Sequence, residues 1–174
     1  MKIDLATTDQ EIKAVRFLFQ EYASALQVSL CFQGFAAELA GLPGDYAPPR
    51  GRLLLATHDG GPVGCVALRP ISTSIGEMKR LFVRPSGRNQ GLGKRLAERI
   101  VAEARAIGFE TIRLDTLAGM TAARQLYESL GFMPCPPYYE NAAAGHDLPR
   151  VKAWPEIRMD LVQRFLKPPA PHGG

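Results

Sequence analysis

The residue types best suited to chemistry lie in one stretch, where a predicted strand runs through a glycine-rich loop into a predicted helix. Three glycines and three cations share it: Gly87, Gly91, Gly93, Arg88, Lys94 and Arg95. The first N–H groups of a helix have no partner inside the helix, and the helix dipole adds positive charge there. Because glycine lets an anion approach the backbone closely, the stretch predicts a phosphate-binding loop.

Two common nucleotide-binding loops fit this stretch poorly. An ATP-type P-loop needs a glycine and a Ser or Thr at or beside the places that Arg88 and Arg95 hold. A dinucleotide fingerprint needs a third glycine where Leu96 stands, and it follows a different strand arrangement. A solvated basic helix face would explain the charge, but it would not explain the succession of strand, glycine loop and helix.

The elements around the loop predict an α+β chain. Thr8 and Glu11 form a capping-box signature, and apolar residues then recur at helical spacing from Val15 to Leu26. Asp59-Gly60-Gly61 predicts a hairpin turn. Strands are predicted at 1–5, 52–57, 62–68, 77–83, 110–116, from 132, and 156–162, and helices after Thr8 and at 35–39, 91–107 and 121–130. The long helix between strands 77–83 and 110–116 predicts that they are parallel neighbours.

Composition predicts one soluble globular domain. The chain has 174 residues, of which 46% are hydrophobic and 22% are charged. We expect a single domain over 1–166, and a flexible tail over 167–174 because that segment is rich in proline and glycine. The start of the chain lacks a signal-peptide pattern and no apolar run is long enough to span a membrane, which predicts a cytoplasmic protein.

The net charge and the positions of the cysteines and histidines limit the classes of ligand that the chain is expected to bind. A net charge of +4 suggests an anionic partner, without separating nucleic acid from a phosphorylated small molecule. Three cysteines and three histidines are too widely separated for a disulfide framework or a paired metal motif: Cys31, Cys65, Cys135, His58, His146 and His172. We therefore predict no metal site, and no recognition motif for nucleic acid accompanies the charge.

Two motifs in this order resemble the GCN5-related N-acetyltransferase (GNAT) superfamily. Arg88-x-x-Gly91-x-Gly93 resembles the family's acyl-CoA pyrophosphate loop, and Tyr127-x-x-x-Gly131-Phe132 resembles its second signature. The resemblance covers about residues 77–132 and implies the GNAT fold. That fold has a mixed, mostly antiparallel sheet of about seven strands, flanked by helices, with a splayed parallel pair at the cofactor site.

The resemblance also implies a ligand and a reaction. The implied ligand is acetyl-CoA, and the implied reaction moves its acetyl group to a primary amine of a small molecule or peptide by direct attack in a ternary complex. Its pantetheine arm maps onto the predicted strand at 77–83, and its pyrophosphate maps onto the backbone amides of the glycine loop. One further contact, Ala123, lies in the second signature. The implied cofactor-binding residues are Leu81, Phe82, Val83, Arg88, Asn89, Gln90, Gly91, Leu92, Gly93, Lys94 and Ala123.

The resemblance implies two catalytic residues. Glu77 would accept the proton of the amine, directly or through water, unless it is only a strand residue paired with Lys79 or Arg113. Tyr127 would protonate the departing thiolate, unless it is an ordinary helix tyrosine. The alternative function is a CoA-binding sensor without turnover. Members of the family often form homodimers.

The acceptor site is less well defined by sequence. Aromatic residues in the regions that usually wall this pocket are Tyr22, Phe35, Tyr46, Tyr138 and Tyr139. The acids Glu38 and Asp45 lie in the same regions and would suit a cationic amine. The stretch from 136 to 152 is longer than a short hairpin and would form either a lid over the acceptor or only an insertion.

Overall fold

The computed structural model describes residues 1–26, 34–135 and 156–162. They form one sheet of seven strands in the order β1-β2-β3-β4-β5-β7-β6. The strands are β1 Lys2–Leu5, β2 Arg52–His58, β3 Gly61–Pro70, β4 Ile75–Val83, β5 Thr111–Leu117, β6 Met133–Pro134 and β7 Glu156–Val162. The helices are α1 Asp9–Ala25, α2 Phe35–Ala40, α3 Leu92–Ile107 and α4 Thr121–Ser129. The predicted tail at 167–174, the stretch 136–152 and Cys31 lie outside the described residues.

Local signals begin and end the elements as the sequence predicts. Both halves of the capping box form at the start of α1, since Glu11 N–H donates to the Thr8 hydroxyl and Thr8 N–H donates to the Glu11 carboxylate. Asp59 and Gly60 both adopt positive φ, as the two central residues of a type I′ hairpin turn do. Gly108, also at positive φ, caps the C-terminus of α3.

Helices cover both faces of the sheet. In β2, Leu53 and Leu55 pack into a core cluster with α1 and α2, whereas Leu54 and Ala56 pack into a second cluster with α3 and α4. Because both faces are buried, this strand is a continuous apolar run rather than an alternating one. The mixed α+β architecture predicted from the sequence is confirmed.

The parallel pair in the middle of the sheet separates along its length. Residues 75–77 of β4 pair with 111–113 of β5 in parallel register, which confirms the predicted neighbours. Beyond that point β4 continues to Val83 and β5 to Leu117 with no further pairing between them. The two strands therefore splay apart towards their C-terminal ends and leave a gap in the sheet.

A β-bulge interrupts β4 at the start of this gap. Cys65 of β3 pairs with Phe82 and Ala67 pairs with Lys79, so that two residues of β4 stand opposite Val66 alone. Arg80, one of those two, adopts φ +58°, which is uncommon for a residue with a side chain. The extra residue turns Arg80 to the same side of the sheet as α1 and α2, where it contacts Glu38.

Gly76 is the point of closest packing where β4 and β5 still pair. A Cβ there would lie 2.9 Å from Cδ2 of Phe109 and 3.0 Å from Cδ1 of Leu68, both fully buried. We expect Gly76→Ala to reduce the free energy of unfolding by about 1–3 kcal/mol through overpacking. Gly119→Ala is the matched control, because a Cβ at Gly119 meets nothing within 4 Å. Equal urea midpoints for the two variants would contradict this account.

Candidate active site

The gap between β4 and β5 forms a groove of about 780 Å³. Its walls come from the C-terminal half of β4, the turn after β5, α4, the end of α1 and the glycine loop. The lining residues are Leu81, Phe82, Val83, Leu117, Ala118, Gly119, Met120, Ala122, Ala123, Leu126, Tyr22, Ala25, Leu26, Arg88 and Gly93. Most of these side chains are apolar. The groove therefore suits a long ligand with few charges along its length.

The glycine loop ends the groove with unused backbone donors. Gly91, at φ +70°, is the N-cap of α3, and no side chain caps this helix. The first backbone bond of the helix runs from Arg95 N–H to the Gly91 carbonyl, at 3.1 Å, so the amides of residues 92–94 precede the helical ladder. A Cβ at Gly91 would meet nothing within 4 Å. These amides therefore have no backbone acceptor among the described residues, at the positive end of a helix dipole.

Side chains hold the loop in this shape. Arg88 donates from Nε to the Val83 carbonyl at 3.1 Å, and Gln90 donates to the Ser86 carbonyl at 3.3 Å. Gly87 is buried, with Leu92 and Val83 side chains at 3.2 Å from where its Cβ would be. Lys94, like Arg95, is exposed at the first turn of α3. The loop is thus a rigid turn with cations around its mouth.

The groove and the loop together fit the cofactor predicted from the sequence. Of the eleven predicted cofactor residues, six line the groove: Leu81, Phe82, Val83, Arg88, Gly93 and Ala123. The other five, which are Asn89, Gln90, Gly91, Leu92 and Lys94, belong to the loop or to the first turn of α3. Leu92 is buried in the core, so only its backbone is available to a ligand. An anion at the open amides and a thin chain along the splayed strand would fill the site.

Tyr127 lies behind the wall of the groove. Its side chain is in the α3–α4 core cluster, 7% exposed, with its ring centroid 5.8 Å from that of Phe132. Ala123 and Leu126, from the same helix, line the groove, whereas Tyr127 is not among the described residues that do. Burial raises the pKa of the Tyr127 phenol, and the neighbouring Tyr22 adds to the effect. The phenol therefore stays protonated over the physiological range.

Glu77 is buried rather than on the surface of β4. It is 1% exposed, and its Oε2 accepts a hydrogen bond from Nε of Arg69 at 2.6 Å. Its Oε1 lies 3.7 Å from Nζ of Lys79. Of the two pairings considered from the sequence, that with Lys79 is present. The carboxylate thus lies between two cations, on β4 two positions before Lys79.

A second carboxylate, Glu38 of α2, is joined to the bulge. Arg80 donates to both of its oxygens, at 3.0 and 2.5 Å, and the Tyr46 hydroxyl donates to Oε1 at 2.5 Å. Burial favours a higher pKa for Glu38, but the hydrogen bonds and charge of Arg80 outweigh burial and hold that pKa below its ordinary value. Glu38 is therefore an anion whose lone pairs are occupied by neighbours.

Next to this pair is a second, polar pocket of about 290 Å³. Its walls come from α2, the turn after it, β3 and β4, and its charged lining residues are Glu38, Asp45, Arg69 and Lys79. Tyr46 also lines it and is otherwise buried. The pocket lies on the α1–α2 side of the bulge, while the groove begins at Leu81, the second residue of the bulge. Arg80 contacts Glu38 of the pocket and lies 6.0 Å from the ring of Tyr22 in the groove, so it lies between two sites of different character.

The predicted acceptor aromatics are divided by the structure. Tyr22 lines the groove, with its ring centroid 6.1 Å from that of Phe82, in an edge arrangement. Phe35 packs on Arg80, whose guanidinium carbon is 5.2 Å from the ring centroid. The two rings therefore flank the junction between groove and polar pocket. Tyr138 and Tyr139 lie outside the described residues.

The sequence analysis did not identify two parts of the site. They are the groove wall at residues 117–120, and Arg69 and Lys79 as cations of the polar pocket. Residues 117–120 line the groove, and their position just after β5 is a usable signal, because the ends of parallel strands share one edge. Arg69 carries no such signal, since a single arginine on a strand gives no indication of the partner across the sheet. Lys79 was considered only as an alternative partner of Glu77 and not as part of a ligand site.

Other classes of site are not evident in the described residues. No group of three His, Cys, Asp or Glu in residues 1–26, 34–135 and 156–162 could hold a metal ion. None of the helices described is long and apolar enough to cross a membrane. Cys65 is a buried free thiol whose pKa is raised by burial, and Cys135 is a partly buried cysteine.

The mixed sheet, the gap between β4 and β5 and the glycine loop before α3 match the fold that the two motifs implied, and comparison with known proteins agrees. A sequence profile of the acetyltransferase (GNAT) family matches residues 12–132. An uncharacterized N-acetyltransferase of Schizosaccharomyces pombe is 36% identical over 143 residues, covering 81% of this chain and 88% of that protein. The chain therefore belongs to the acetyltransferase (GNAT) family, as its two motifs predicted.

Solved structures show the same fold. An acetyltransferase from Streptococcus agalactiae superimposes with a TM-score of 0.71 at 19% identity, covering 92% of this chain and 97% of that one. An aminoglycoside 6'-N-acetyltransferase in complex with coenzyme A superimposes with a TM-score of 0.68, also at 19% identity, covering 97% of this chain and 99% of that one.

Proposed function

We propose that this protein is an N-acetyltransferase that moves an acetyl group from acetyl-CoA to a primary amine by direct attack in a ternary complex. The observation that carries the proposal is the splayed groove, which ends at the open amides of α3. A family member with coenzyme A bound shares the fold, which supports the choice of cofactor. Acetyl-CoA would supply the activated acetyl group as a thioester.

The chain would bind the cofactor mainly through its backbone. The amides from Arg88 to Lys94 would receive the pyrophosphate, and Leu81, Phe82 and Val83 would receive the pantetheine arm. Each neutral backbone hydrogen bond contributes about 1 kcal/mol net, and charge at a helix terminus contributes up to ~2 kcal/mol. Several such contacts give a dissociation constant on the order of micromolar.

Glu77 would take a proton from the incoming amine. A primary ammonium has a pKa of about 10.4, so forming the free amine at neutral pH costs about 4–5 kcal/mol. Arg69 occupies Oε2 of Glu77, which leaves Oε1, beside Lys79, as the oxygen towards which a proton or a bridging water would move. Removing this carboxylate would slow the reaction by raising the cost of deprotonation.

Tyr127 would give a proton to the sulfur of the leaving group. Its buried phenol stays protonated, as a proton donor must, and its neighbours Ala123 and Leu126 line the groove. We expect Tyr127→Phe to lower kcat about 10- to 100-fold and to leave the dissociation constant of CoA within about twofold. Phe132→Leu is the control, because it loosens the same packing and keeps the hydroxyl. An unchanged kcat for Tyr127→Phe would remove this role.

Thiol release from acetyl-CoA in the presence of a panel of amines tests the function itself. The panel should contain amino acids, polyamines, monoamines and peptide N-termini, because the family alone does not name the acceptor. Amine-dependent release of free thiol supports the proposal. Thermal stabilisation by acetyl-CoA without thiol release for any amine would contradict it and favour a CoA-binding sensor.

A further inference from the structure

Lys79 is a largely buried cation that has an ion pair with Glu77 but no hydrogen bond among the described residues. Its side chain is 12% exposed, yet its ammonium makes no hydrogen bond to any described residue. The nearest carboxylate oxygen, Oε1 of Glu77, is 3.7 Å away, beyond hydrogen-bond distance. Burial lowers the pKa of Lys79, and the Glu77 carboxylate opposes the effect. Three ammonium donors held largely away from bulk water favour a further anion beside them.

The polar pocket that Lys79 lines offers little to an additional cation. Both carboxylate oxygens of Glu38 already accept hydrogen bonds from Arg80 or Tyr46. Asp45 is 76% exposed and lies 4.0 Å from Nη1 of Arg69, so solvent and that guanidinium both screen it. Glu77, the remaining acid nearby, is already shared by Arg69 and Lys79. The N–H donors of the pocket that lack an acceptor among the described residues therefore include those of the Lys79 ammonium.

The pocket is placed to hold part of the acceptor. Lys79 comes directly before the bulge, and Leu81 within it and Phe82 directly after it line the groove. Arg80 connects the two sites, because it binds Glu38 of the pocket and lies 6.0 Å from the ring of Tyr22 in the groove. A volume of about 290 Å³ is at the small end for ligand sites, which favours a small molecule over a protein segment.

We propose that the acceptor is a small amine that also carries a carboxylate, as a free amino acid does, and that Lys79 binds that carboxylate, with Arg69 beside it. This inference rests on the proposed acetyltransferase function and names its substrate class. In the reaction an N–C bond forms to the acetyl carbon and the C–S bond breaks with its electron pair on sulfur. The ammonium loses two protons in all, one to sulfur and one to solvent.

Matched acceptor pairs test the inference on the unaltered protein. L-leucine with isopentylamine, and L-phenylalanine with phenethylamine, differ only in the carboxylate. A charge-assisted contact is worth about 1.5–3 kcal/mol, so kcat/KM measured by thiol release should be ~10- to ~150-fold higher for the amino acid of each pair. Equal or higher kcat/KM for the decarboxylated amines would overturn the inference.

Variants at Lys79 locate the contact. Lys79→Met should raise KM for L-leucine about 10- to 100-fold more than KM for isopentylamine and should leave KM for acetyl-CoA unchanged. Lys79→Arg keeps the charge and should keep the preference for L-leucine. Lys13→Met, on the exposed side of α1, is the matched control. If Lys79→Met changes KM for both acceptors equally, Lys79 is only structural and the inference fails.

A binding measurement separates this inference from the proposed function. If calorimetry shows that coenzyme A binds and only amines without a carboxylate are acetylated, the substrate class is wrong and the function stands. If coenzyme A does not bind and no amine releases thiol, the proposed function is wrong and the inference falls with it. Turnover of amino acids in preference to their decarboxylated partners supports both.

Discussion

Gly91→Asp is expected to weaken coenzyme A binding by ~10- to ~1000-fold relative to Gly91→Asn. Both side chains tolerate the positive φ of Gly91 and have nearly the same shape, so the variants differ mainly by one negative charge. At the open amides of α3 that charge would face the pyrophosphate. Two like charges a few ångströms apart repel by about 1–4 kcal/mol at surface dielectrics. Calorimetric titration of both variants with coenzyme A measures the difference.

A comparison of stability separates loss of coenzyme A binding from loss of the folded structure. Asp is a good N-cap and interacts favourably with the helix dipole, so Gly91→Asp should unfold at a urea concentration no lower than Gly91→Asn does. The expected pattern is therefore loss of ligand affinity without loss of stability. Equal affinity of the two variants for coenzyme A would contradict the assignment of the loop.

Glu38→Ala is expected to destabilise the protein by about 3–5 kcal/mol. The variant leaves Arg80 without its two carboxylate contacts, and the Arg80 side chain is only 4% exposed. An unpaired buried guanidinium costs more than the pair contributes, because its desolvation is no longer compensated. Tyr46 also loses its acceptor. Urea unfolding of the two proteins gives the difference in free energy.

An exposed ion pair supplies the control for Glu38. Glu128 lies 3.9 Å from Arg124 on the surface of α4, and Glu128→Ala should change the free energy of unfolding by less than about 0.5 kcal/mol. Arg80→Met in the Glu38→Ala background should recover part of the lost stability, since it removes the buried charge. If Glu38→Ala and Glu128→Ala reduce the free energy of unfolding by similar amounts, the Arg80–Glu38 pair contributes no more to stability than an exposed pair does.

The stabilisation from Glu38 should depend on pH. The pKa of Glu38 in the folded protein is below its ordinary value near 4.5, so the unfolded chain takes up the proton first as pH falls. The contribution is complete above about pH 4.5 and declines as the pH falls through the folded pKa. The gap in urea midpoint between wild type and Glu38→Ala should therefore narrow as the pH falls below about 4.5. A gap independent of pH would contradict the assigned shift.

Local patterns made most of the fold predictable. The capping box at Thr8, the hairpin at Asp59-Gly60 and the amphipathic α3 each depend on residues within a few positions of one another. The parallel pairing of β4 and β5 follows from the helix that connects them. The glycine loop was recognisable because its residues are contiguous, so the cofactor half of the site could be predicted from the sequence.

The acceptor half depends on contacts between distant residues. Arg80 and Glu38 are 42 positions apart, and their pairing requires the bulge that turns Arg80 to the α1–α2 side. Nothing in the β4 sequence marks residue 80 as the one at positive φ. Tyr22 was expected in the acceptor pocket, yet it also lines the groove because α1 crosses the end of β4. Such positions are set by packing and not by spacing.

Backbone amide NMR during titration with coenzyme A tests most directly whether the first turn of α3 binds the pyrophosphate. We predict that the amide resonances of Leu92, Gly93 and Lys94 shift and saturate with one equivalent of ligand, and that pantetheine, which has no pyrophosphate, leaves them nearly unchanged. If coenzyme A leaves these three resonances in place, or shifts only amides far from the loop, the anion lies elsewhere and the acetyltransferase account is contradicted.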